Sequence, residues 1–403
     1  MDSTVLQPPG DYPDDWLRTD FDHFATLQRG KDLTREHFRK GNVPVGGSNG
    51  IIGYHNTANV KAPGVTVGRS GSVGKVALYR QDFWAHNTAL FVKDFHDNIP
   101  EFTAFFLEFL RLGRFGSGAS VPTLDRNVFR SLSIVVPPPC EQRKIAAVLG
   151  LVQRAIEQQE RLIALATELK KALLHKLFTE GLRGELQKQT EIGPVPESWE
   201  VKPLGDYLTE AQYGISVKGG ETGRYAVLRM TNQRKGRIIS DDLQYVELTA
   251  DQFQKFRVQR RDILFNRTNS LDLVGRTAIF DLEGEFVFAS YLIRLRTDPM
   301  RLRPFFLNHY FNWHETQARL KSIATRAVSQ SNISATRLRN FLVPVPKTYE
   351  QDEIVEKLDC LDQKLSVHAR KHAVHAALFR TLLHHLMTAR LRVRDLDLPE
   401  LEC

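Results

Sequence analysis

The stretch IVVPPPCEQ, from Ile134 to Gln142, stands before a long amphipathic pattern and returns in altered form as VPVPKTYEQ, from Val343 to Gln351. After both copies, apolar residues recur at the alternating intervals of four and three that are typical of a coiled-coil seam. The two series match at a constant shift of 209 residues, with Ile145, Leu149, Val152 and Ile156 corresponding to Ile354, Leu358, Leu361 and Leu365. This pattern predicts an internal repeat with one long helix in each copy.

Each copy also opens on the same landmark, because PDDW at Pro13–Trp16 corresponds to PESW at Pro196–Trp199. Between landmark and helix lie short strand-like runs, such as Thr277–Phe280, which are separated by glycine and turn residues. The helices match residue for residue, whereas the mixed regions differ in length and sequence. The predicted fold class is two α/β (α+β) domains plus two long helices, which form an antiparallel coiled coil within a pseudo-twofold internal repeat.

These landmarks set the predicted boundaries: a first mixed domain at 1–138, a first long helix at 139–183, a polar linker at 184–195, a second mixed domain at 196–347, a second long helix at 348–393 and a tail at 394–403. The linker contains glycine and proline and is predicted to be a hinge. A helix of about forty residues is roughly 60 Å long, which suits a spacer. A coiled coil between two chains is the alternative, but duplication within one chain favours intramolecular pairing.

Charge and the N-terminal sequence suggest the partner and the compartment. The formal net charge of +8 and the pI near 9.3 favour a polyanionic partner, although a basic surface also serves solubility. The first residues, MDSTVLQPPGDYPDDW, lack a basic start followed by an apolar stretch, and no run approaches 18 uninterrupted apolar residues. The sequence therefore predicts a cytoplasmic protein.

Two corresponding loops, Gly64–Lys75 and Phe265–Thr277, each carry an early arginine and a late pair of glycine and a basic residue. The first superficially resembles a phosphate loop, but its spacing fails that motif, so nucleotide binding is rejected. Arginine suits guanine edges and asparagine suits adenine edges, while plain solvated surface turns are the alternative. With the neighbouring loops, the candidate DNA-binding residues are Arg69, Ser70, Lys75, Asn87, Arg267, Asn269, Arg276, Arg326, Gln330 and Asn332.

No catalytic residue and no metal site is predicted. The sequence lacks the N/D-P-P-Y/F motif and the glycine-rich cofactor loop of an adenine methyltransferase, and it lacks a helicase Walker motif. His368, His372 and His375 recur at helical spacing, but the corresponding positions of the first helix carry no histidine. These histidines are therefore predicted to lie along the helix-helix seam rather than to bind a metal.

Over essentially its whole length, the chain resembles the specificity subunits of type I restriction-modification enzymes. The resemblance rests on IGPVPESWEVKPLG at Ile192–Gly205, GGSNGIIGYH at Gly46–His55, VGRSGSVGK at Val67–Lys75 and PCEQRKI at Pro139–Ile145. It implies two target-recognition domains, each of which reads one half of a bipartite, asymmetric DNA target. It also implies that the long helices act as a molecular ruler between the two half-sites.

The resemblance further implies the partners. These are double-stranded DNA, two modification subunits that methylate adenine, and restriction subunits that act as motor and nuclease. S-adenosylmethionine, ATP and Mg²⁺ are accordingly expected on the partner subunits, with no cofactor and no catalysis in this chain. The alternative function is a coiled-coil scaffold that binds nucleic acid or protein without sequence specificity. Sequence-specific DNA binding that requires both halves of the chain would favour the specificity subunit over the scaffold.

Overall fold

The computed structural model describes residues 12–118, 122–326 and 330–393, so the predicted tail at 394–403 lies outside the described residues. The chain divides into two compact units. Unit 1 comprises Met1–Arg161 and Ala369–Cys403, and unit 2 comprises Leu162–His368. Each unit therefore contains one mixed domain and part of each long helix. Within the described ranges, no helix is both long and apolar enough to cross a membrane.

The mixed domain of unit 1 packs short, mostly antiparallel strands against one apolar helix. Its strands are β1 (Leu17–Asp20), β2 (Thr26–Arg29), β3 (Val43–Gly47), β4 (Gly50–His55), β5 (Gly64–Gly68), β6 (Val76–Tyr79), β7 (Trp84–Ala85), β8 (Ala89–Asp94) and β9 (Ser133–Val136). Its helices are α1 (Phe21–Phe24) and α2 (Pro100–Leu110), and the long helix α3 (Pro139–Thr179) follows. The sheets have the orders β2-β8-β5-β6, β4-β3-β7 and β1-β9.

The core of this domain forms where α2 covers the four-stranded sheet. Strand β5 is buried along its whole length, since it lies between β6 and β8 and contacts α2. Helix α2 begins with proline at its first position, where no backbone N–H is needed. Its Phe106 ring meets the Phe24 ring edge-on at 4.9 Å between centroids. Burial of these aromatic rings stabilises the domain and fixes the position of the end of β5.

Unit 2 has a larger mixed domain. Its strands are β10 (Gln187–Thr190), β11 (Gly193–Pro196), β12 (Glu200–Pro203), β13 (Leu208–Tyr213), β14 (Tyr225–Leu228), β15 (Gln233–Arg234), β16 (Arg237–Ile238), β17 (Gln244–Val246), β18 (Ile263–Asn266), β19 (Thr268–Asn269), β20 (Thr277–Ile279), β21 (Phe286–Phe288), β22 (Leu292–Thr297), β23 (Thr325–Arg326), β24 (Ser331–Asn332) and β25 (Leu342–Val345). Its helices are α4 (Ala250–Phe256), α5 (Pro304–Asn312), α6 (His314–Ser322) and α7 (Ala335–Arg339), and the long helix α8 (Thr348–Met387) follows.

The central sheet of unit 2 has the order β13-β22-β18-β20-β16-β15. Strand β18 is buried along its whole length, like β5 in unit 1. The predicted linker at 184–195 overlaps the hairpin of β10 and β11, and its role as a hinge stays a prediction. A tight turn makes this hairpin possible, because Gly193 adopts a φ of +103° and Thr190 donates from its hydroxyl to the Gly193 carbonyl at 2.6 Å.

The landmark tryptophan and the glutamate of the proline-rich stretch meet in both units. Trp16 Nε1 donates to Glu141 at 3.1 Å, and Trp199 Nε1 donates to Glu350 at 3.3 Å. Each pair is reinforced by two strands, because β1 pairs with β9 and β12 pairs with β25. The repeat therefore retains these residues because they attach each mixed domain to the start of its long helix.

The glutamine next to each glutamate makes a second attachment. In unit 1, the Gln142 side chain accepts from the amide of Ile99 and donates to the Pro137 carbonyl. In unit 2, the Gln351 side chain accepts from the amide of Arg303 and donates to the Pro346 carbonyl. Both glutamines are buried, so their hydrogen bonds satisfy polar groups that would otherwise lie unpaired in the core.

The two long helices begin at the predicted residues and end earlier than predicted. Helix α3 ends at Thr179 and α8 ends at Met387, rather than at residues 183 and 393. Gly181 and Ala389, each two residues beyond the end of its helix, adopt left-handed conformations with φ of +68° and +55°. A residue in this conformation terminates a helix, and the sequence pattern alone did not reveal it.

Within each unit, segments of the two long helices run antiparallel. In unit 1, Glu160 contacts His372 while the earlier Glu141 contacts the later Arg392. In unit 2, the Lys170 ammonium contacts the Asp362 carboxylate. Further along α3, the amide of Leu182 donates to Glu350, which precedes Asp362 in the chain. The prediction of intramolecular pairing is therefore confirmed.

The predicted seam residues contribute unequally to burial. Ile145, Leu149 and Ile156 are buried in the core of unit 1, together with residues of α8 such as Leu383, and Val152 packs against them. In unit 2, Ile354 and Leu358 are buried beside Leu177 of α3, whereas Leu361 and Leu365 are half-buried. The seam is thus most tightly packed near the mixed domains.

Candidate nucleic-acid interface

In unit 1, three of the predicted loops meet at the end of β5. The Arg69 amide donates to the Thr88 carbonyl at 2.8 Å, and the Leu124 amide donates to the Arg69 carbonyl at 2.8 Å. Ser70 forms an isolated bridge with Thr123. Arg69 is therefore held between the turn after β7 and the loop before the proline-rich stretch.

The candidate side chains of unit 1 differ in how strongly they are already engaged. Lys75 is exposed, and its ammonium donates to Asn49 Oδ1 at 2.7 Å. Asn87 is half-buried, and its Nδ2 donates to Asp32 at 2.5 Å. Arg69 and Ser70 are half-buried, and no side-chain hydrogen bond of Arg69 to another described residue is present. Unlike Lys75 and Asn87, Arg69 can therefore reorient toward a ligand without breaking a side-chain hydrogen bond.

The same backbone frame recurs in unit 2. The Arg267 amide donates to the Tyr291 carbonyl at 3.0 Å, and the Ile333 amide donates to the Arg267 carbonyl at 2.9 Å. Here the bridge is extended into a small sheet of β19, β24 and β23. Thr268 pairs with Asn332 and Asn269 pairs with Ser331, so the structure brings Asn269 and Asn332 close to Arg267.

The side chains of this second cluster are more constrained. The Arg267 guanidinium lies over the Tyr213 ring at 4.6 Å and donates to the Ser290 carbonyl at 3.2 Å. Asn332 Nδ2 donates to Thr268 at 2.8 Å, and Asn269 Nδ2 contacts the Met230 sulfur at 2.9 Å. These contacts fix the direction of an arginine and two amides before any ligand arrives, which lowers the entropic cost of binding.

For three candidate DNA-binding residues of the second half, the structure describes few side-chain contacts or none. Arg276 and Gln330 are exposed. Arg326 lies in β23, and its side chain lies outside the described part of the structure. Arg276 follows Gly275, whose amide donates to the Asn266 carbonyl, just as the Gly74 amide donates to the Gly68 carbonyl in unit 1. The predicted correspondence of the two loops is thus visible in their backbone hydrogen bonds.

Tyr213 belongs to the cluster, although no sequence motif singled it out. It is 40% exposed, stacks under Arg267, and accepts a hydrogen bond from the Ala335 amide at 2.8 Å. Its position follows from pairing of β13 with β22, which sequence periodicity did not establish. The sequence offered only an aromatic residue immediately before Gly214 as a signal.

One group in unit 2 has the composition of a metal site. Ligand atoms of His309, Asp359 and Asp362 lie within 4.8 Å of one another. Asp359 also contacts Arg237 at 3.3 Å, and Asp362 contacts Lys170. The hydrogen bond from His309, assisted by the nearby cations, lowers the pKa of Asp359 below its ordinary value. Since both carboxylates already face cations, this group is accounted for as an ion-pair network.

Comparison with known proteins gives a family match over most of the chain. The model of the type I restriction modification DNA specificity domain matches residues 13–166 and 196–374. The type I restriction enzyme MjaVIII specificity subunit of Methanocaldococcus jannaschii is 23% identical over 295 residues, or 70% of this chain and 67% of the relative. The EcoKI specificity subunit of Escherichia coli is 23% identical over 268 residues, or 65% of this chain and 58% of the relative.

A further Methanocaldococcus jannaschii sequence is 33% identical over 178 residues, which are 43% of this chain and 42% of the relative. The alignments thus span between 42% and 67% of the relatives' own length. Among solved structures, the S subunit of a type I restriction-modification system from M. genitalium has a TM-score of 0.65 at 17% identity. That comparison covers 95% of this chain and 98% of the other, so the fold is shared.

Proposed function

Because this chain belongs to the family defined by the type I restriction modification DNA specificity domain, we propose that it is the DNA-recognition subunit of a type I restriction-modification complex. It reads a bipartite, asymmetric DNA target and directs adenine methylation and DNA cleavage by partner subunits. The observation that carries this proposal is the duplication of one loop cluster, centred on Arg69 in unit 1 and on Arg267 in unit 2. Two copies of one frame suit two half-sites.

In this function, the cluster at the end of β5 contacts one half-site and the cluster at the end of β18 contacts the other. Arginine can donate two hydrogen bonds to guanine, and asparagine can donate to and accept from adenine. The frames are alike but the side chains around them differ, so the two half-sites differ in sequence. Backbone amides and lysines of the same loops contact phosphates and thereby set the register of the protein on the duplex.

The chain supplies recognition and no catalysis. We assign methyl transfer, with S-adenosylmethionine, to two modification subunits, one for each repeat. DNA translocation and cleavage, with ATP and Mg²⁺, belong to restriction subunits. A related fold with a TM-score of 0.53 comes from a structure that describes complex assembly of a type I R-M system, which supports the proposal that this chain assembles with partner subunits. The site of action is the cytoplasm, where the DNA substrate lies.

Methylation mapping tests the proposal. The chain is co-expressed with its modification subunit, and methylated adenines in host DNA are located by long-read sequencing. We expect one bipartite motif that disappears when the gene for this chain is deleted. An unchanged methylation pattern, with a competent methyltransferase present, would contradict the proposal. Membership of the family does not favour the alternative of a scaffold without sequence specificity.

The ruler function of the helices has its own test. Seven residues are inserted at corresponding positions of α3 and α8, which preserves the seam register. Each insertion adds roughly 10 Å of helix, the rise of about three base pairs. We expect the gap between the methylated half-sites to lengthen while the half-sites themselves stay the same. A gap of unaltered length would show that the helices do not set the spacing.

A further inference from the structure

Unit 1 contains a basic cleft between its mixed domain and the first part of α3. The cleft has a volume of about 1170 Å³. It is lined by five basic side chains, which are Lys75, Arg80, Arg111, Arg114 and Arg154, and by two acidic ones, Glu108 and Glu157. Arg80, Arg111 and Arg154 are exposed, so their guanidinium groups are available to an anion.

The corresponding place in unit 2 is closed. At the shift of 209 residues, Gly150 and Gln153 of the cleft correspond to Asp359 and Asp362 of α8. Asp359 and Asp362 line a small cavity of about 30 Å³ together with Gly236. The cleft of unit 1 and this small cavity therefore occupy equivalent positions in the two repeats.

A hairpin explains the closure. In unit 2 the connection from β14 to β17 includes β15 and β16, whereas in unit 1 the connection from β3 to β4 is only a two-residue turn. Arg237 of this hairpin contacts Asp359 at 3.3 Å, and the Gly236 carbonyl accepts from Asn308 at 2.9 Å. Unit 2 thus fills the space with Arg237 and meets it with Asp359 and Asp362, whereas unit 1 has no such hairpin and carries Gly150 and Gln153 at the two aspartate positions.

We propose that the cleft of unit 1 binds backbone phosphates of the DNA duplex beside the half-site that the Arg69 cluster contacts. This inference rests on the proposed function. Lys75 connects the cleft with the Arg69 cluster, because it ends the Gly64–Lys75 loop of that cluster and also lines the cleft. A duplex at the loop would therefore extend past a surface rich in arginine, the side chain that best matches phosphate geometry.

The two units would then contribute unequally to the affinity for DNA. Unit 1 contributes sequence-independent affinity through the cleft, in addition to its base contacts. Unit 2, whose equivalent cavity is closed by Arg237 and Asp359, contributes base contacts without this addition. Because phosphate contacts release condensed counterions, the contribution of the cleft depends on salt concentration.

The test measures the affinity of the full chain, in complex with its modification subunit, for a 40-base-pair duplex that lacks the methylated motif, over a range of salt concentrations. The double variant Arg111→Ala and Arg154→Ala removes two exposed cleft charges. Since each phosphate contact contributes about 0.9 to the slope of log affinity against log salt, we expect the slope to fall by about 1.8. The control, Arg370→Ala with Lys371→Ala, removes two exposed charges of α8 outside the cleft and should leave the slope unchanged.

A second pair of variants tests the cleft without deleting a guanidinium. A Cβ at Gly150 would lie 3.4 Å from Nη1 of Arg154. Gly150→Asp therefore places a carboxylate beside Arg154, and we expect it to lower the salt slope by about 1. Gly150→Ala adds the same Cβ without charge and should bind DNA like the unaltered chain.

The outcomes separate this inference from the proposed function. If the slope stays unchanged in the Arg111 and Arg154 variant while the bipartite motif is still methylated, the cleft proposal is wrong and the proposed function stands. If the variant keeps its DNA affinity but no longer copurifies with the modification subunit, the cleft binds protein, and the proposal is equally overturned. If the unaltered chain directs no motif, the proposed function fails, whereas the salt slope on the motif-free duplex still tests the cleft.

Discussion

The two units hold Arg69 and Arg267 in the same backbone frame and surround these side chains differently. In unit 2 the guanidinium of Arg267 stacks on Tyr213. In unit 1 the residue that corresponds to Tyr213 is Arg29, because Gly30 and Gly214 occupy equivalent positions after β2 and β13. Sheet pairing therefore fixes where the two arginines are, whereas side chains of neighbouring strands determine how rigidly each arginine is held.

The ends of the long helices show a second difference. Arg392 of unit 1 makes ion pairs with Glu141 at 2.6 Å and with Asp15 at 2.8 Å, and these partners raise its pKa above the ordinary value. The corresponding Arg183 of unit 2 stacks over the Tyr349 ring at 4.7 Å instead. The same glutamate position therefore balances a buried cation in unit 1, whereas in unit 2 it accepts from two N–H groups.

The largest expected effect comes from removing these glutamates. Glu141→Ala removes one of the two carboxylate partners of the buried Arg392, with Asp15 remaining, and we expect unit 1 to lose about 3 kcal/mol of stability. Glu350→Ala removes the acceptor of Trp199 Nε1 and the Leu182 amide, and should cost unit 2 about 1 to 3 kcal/mol. Amide hydrogen exchange in each unit measures both losses. Equal losses would mean that the ion pair with Arg392 adds nothing.

The next effect concerns the two arginines. Arg69→Ala and Arg267→Ala should each weaken binding to the methylated motif by about 1 to 3 kcal/mol and relax the preference at one position of one half-site. The measurement is equilibrium binding to duplexes with single base changes. Tyr213→Ala should weaken binding through the second half-site alone, since it frees the Arg267 side chain before binding. If Tyr213→Ala has no effect, stacking does not order Arg267 for recognition.

The smallest effect is a difference in acid sensitivity. The pKa of Asp359 is lowered from its ordinary value of 3.8, so its contribution to stability is complete above that value and is lost as the pH falls through the folded-state pKa. We expect Asp359→Asn to destabilise unit 2 by about 1 kcal/mol at neutral pH, and the difference to shrink below pH 3.8. Unit 1 has Gly150 at the corresponding position and no part in this ion pair. The hydrogen exchange of unit 1 should therefore be the same in the Asp359→Asn variant and in the unaltered chain at either pH. If Asp359→Asn destabilises unit 2 equally in acid, the loss of stability comes from packing and not from the charge of Asp359.

Several features of the fold follow from the sequence because they depend on local patterns. The starts of α3 and α8 were predicted at Pro139 and Thr348, and the seam from Ile145 to Ile156 is buried as its spacing indicated. The correspondence of Arg69 with Arg267 was also predicted, because both loops keep an early arginine and a late glycine. Such signals survive divergence because buried helix faces and tight turns tolerate few residue types.

Other features depend on pairing between distant segments, which one sequence does not reveal. Tyr213 reaches Arg267 because β13 pairs with β22, and Arg237 reaches Asp359 because a hairpin folds back onto α8. The basic cleft arises from residues of α2, β6 and α3 that are far apart in the chain. Whether the ten candidate DNA-binding residues contact bases stays a prediction, because base contact depends on how these loops meet a duplex.

The ion pair of Glu141 with Arg392 also bears on the order in which the two units complete their folding during synthesis. Unit 2 is one continuous segment, Leu162–His368, so all of it can emerge from the ribosome and fold during translation. Unit 1 needs the segment after Ala369, including Phe379, Leu383 and Arg392, to complete its core and its ion pair. The domain that is synthesised first therefore finishes folding last, and a chain truncated within α8 would lose the integrity of its N-terminal domain.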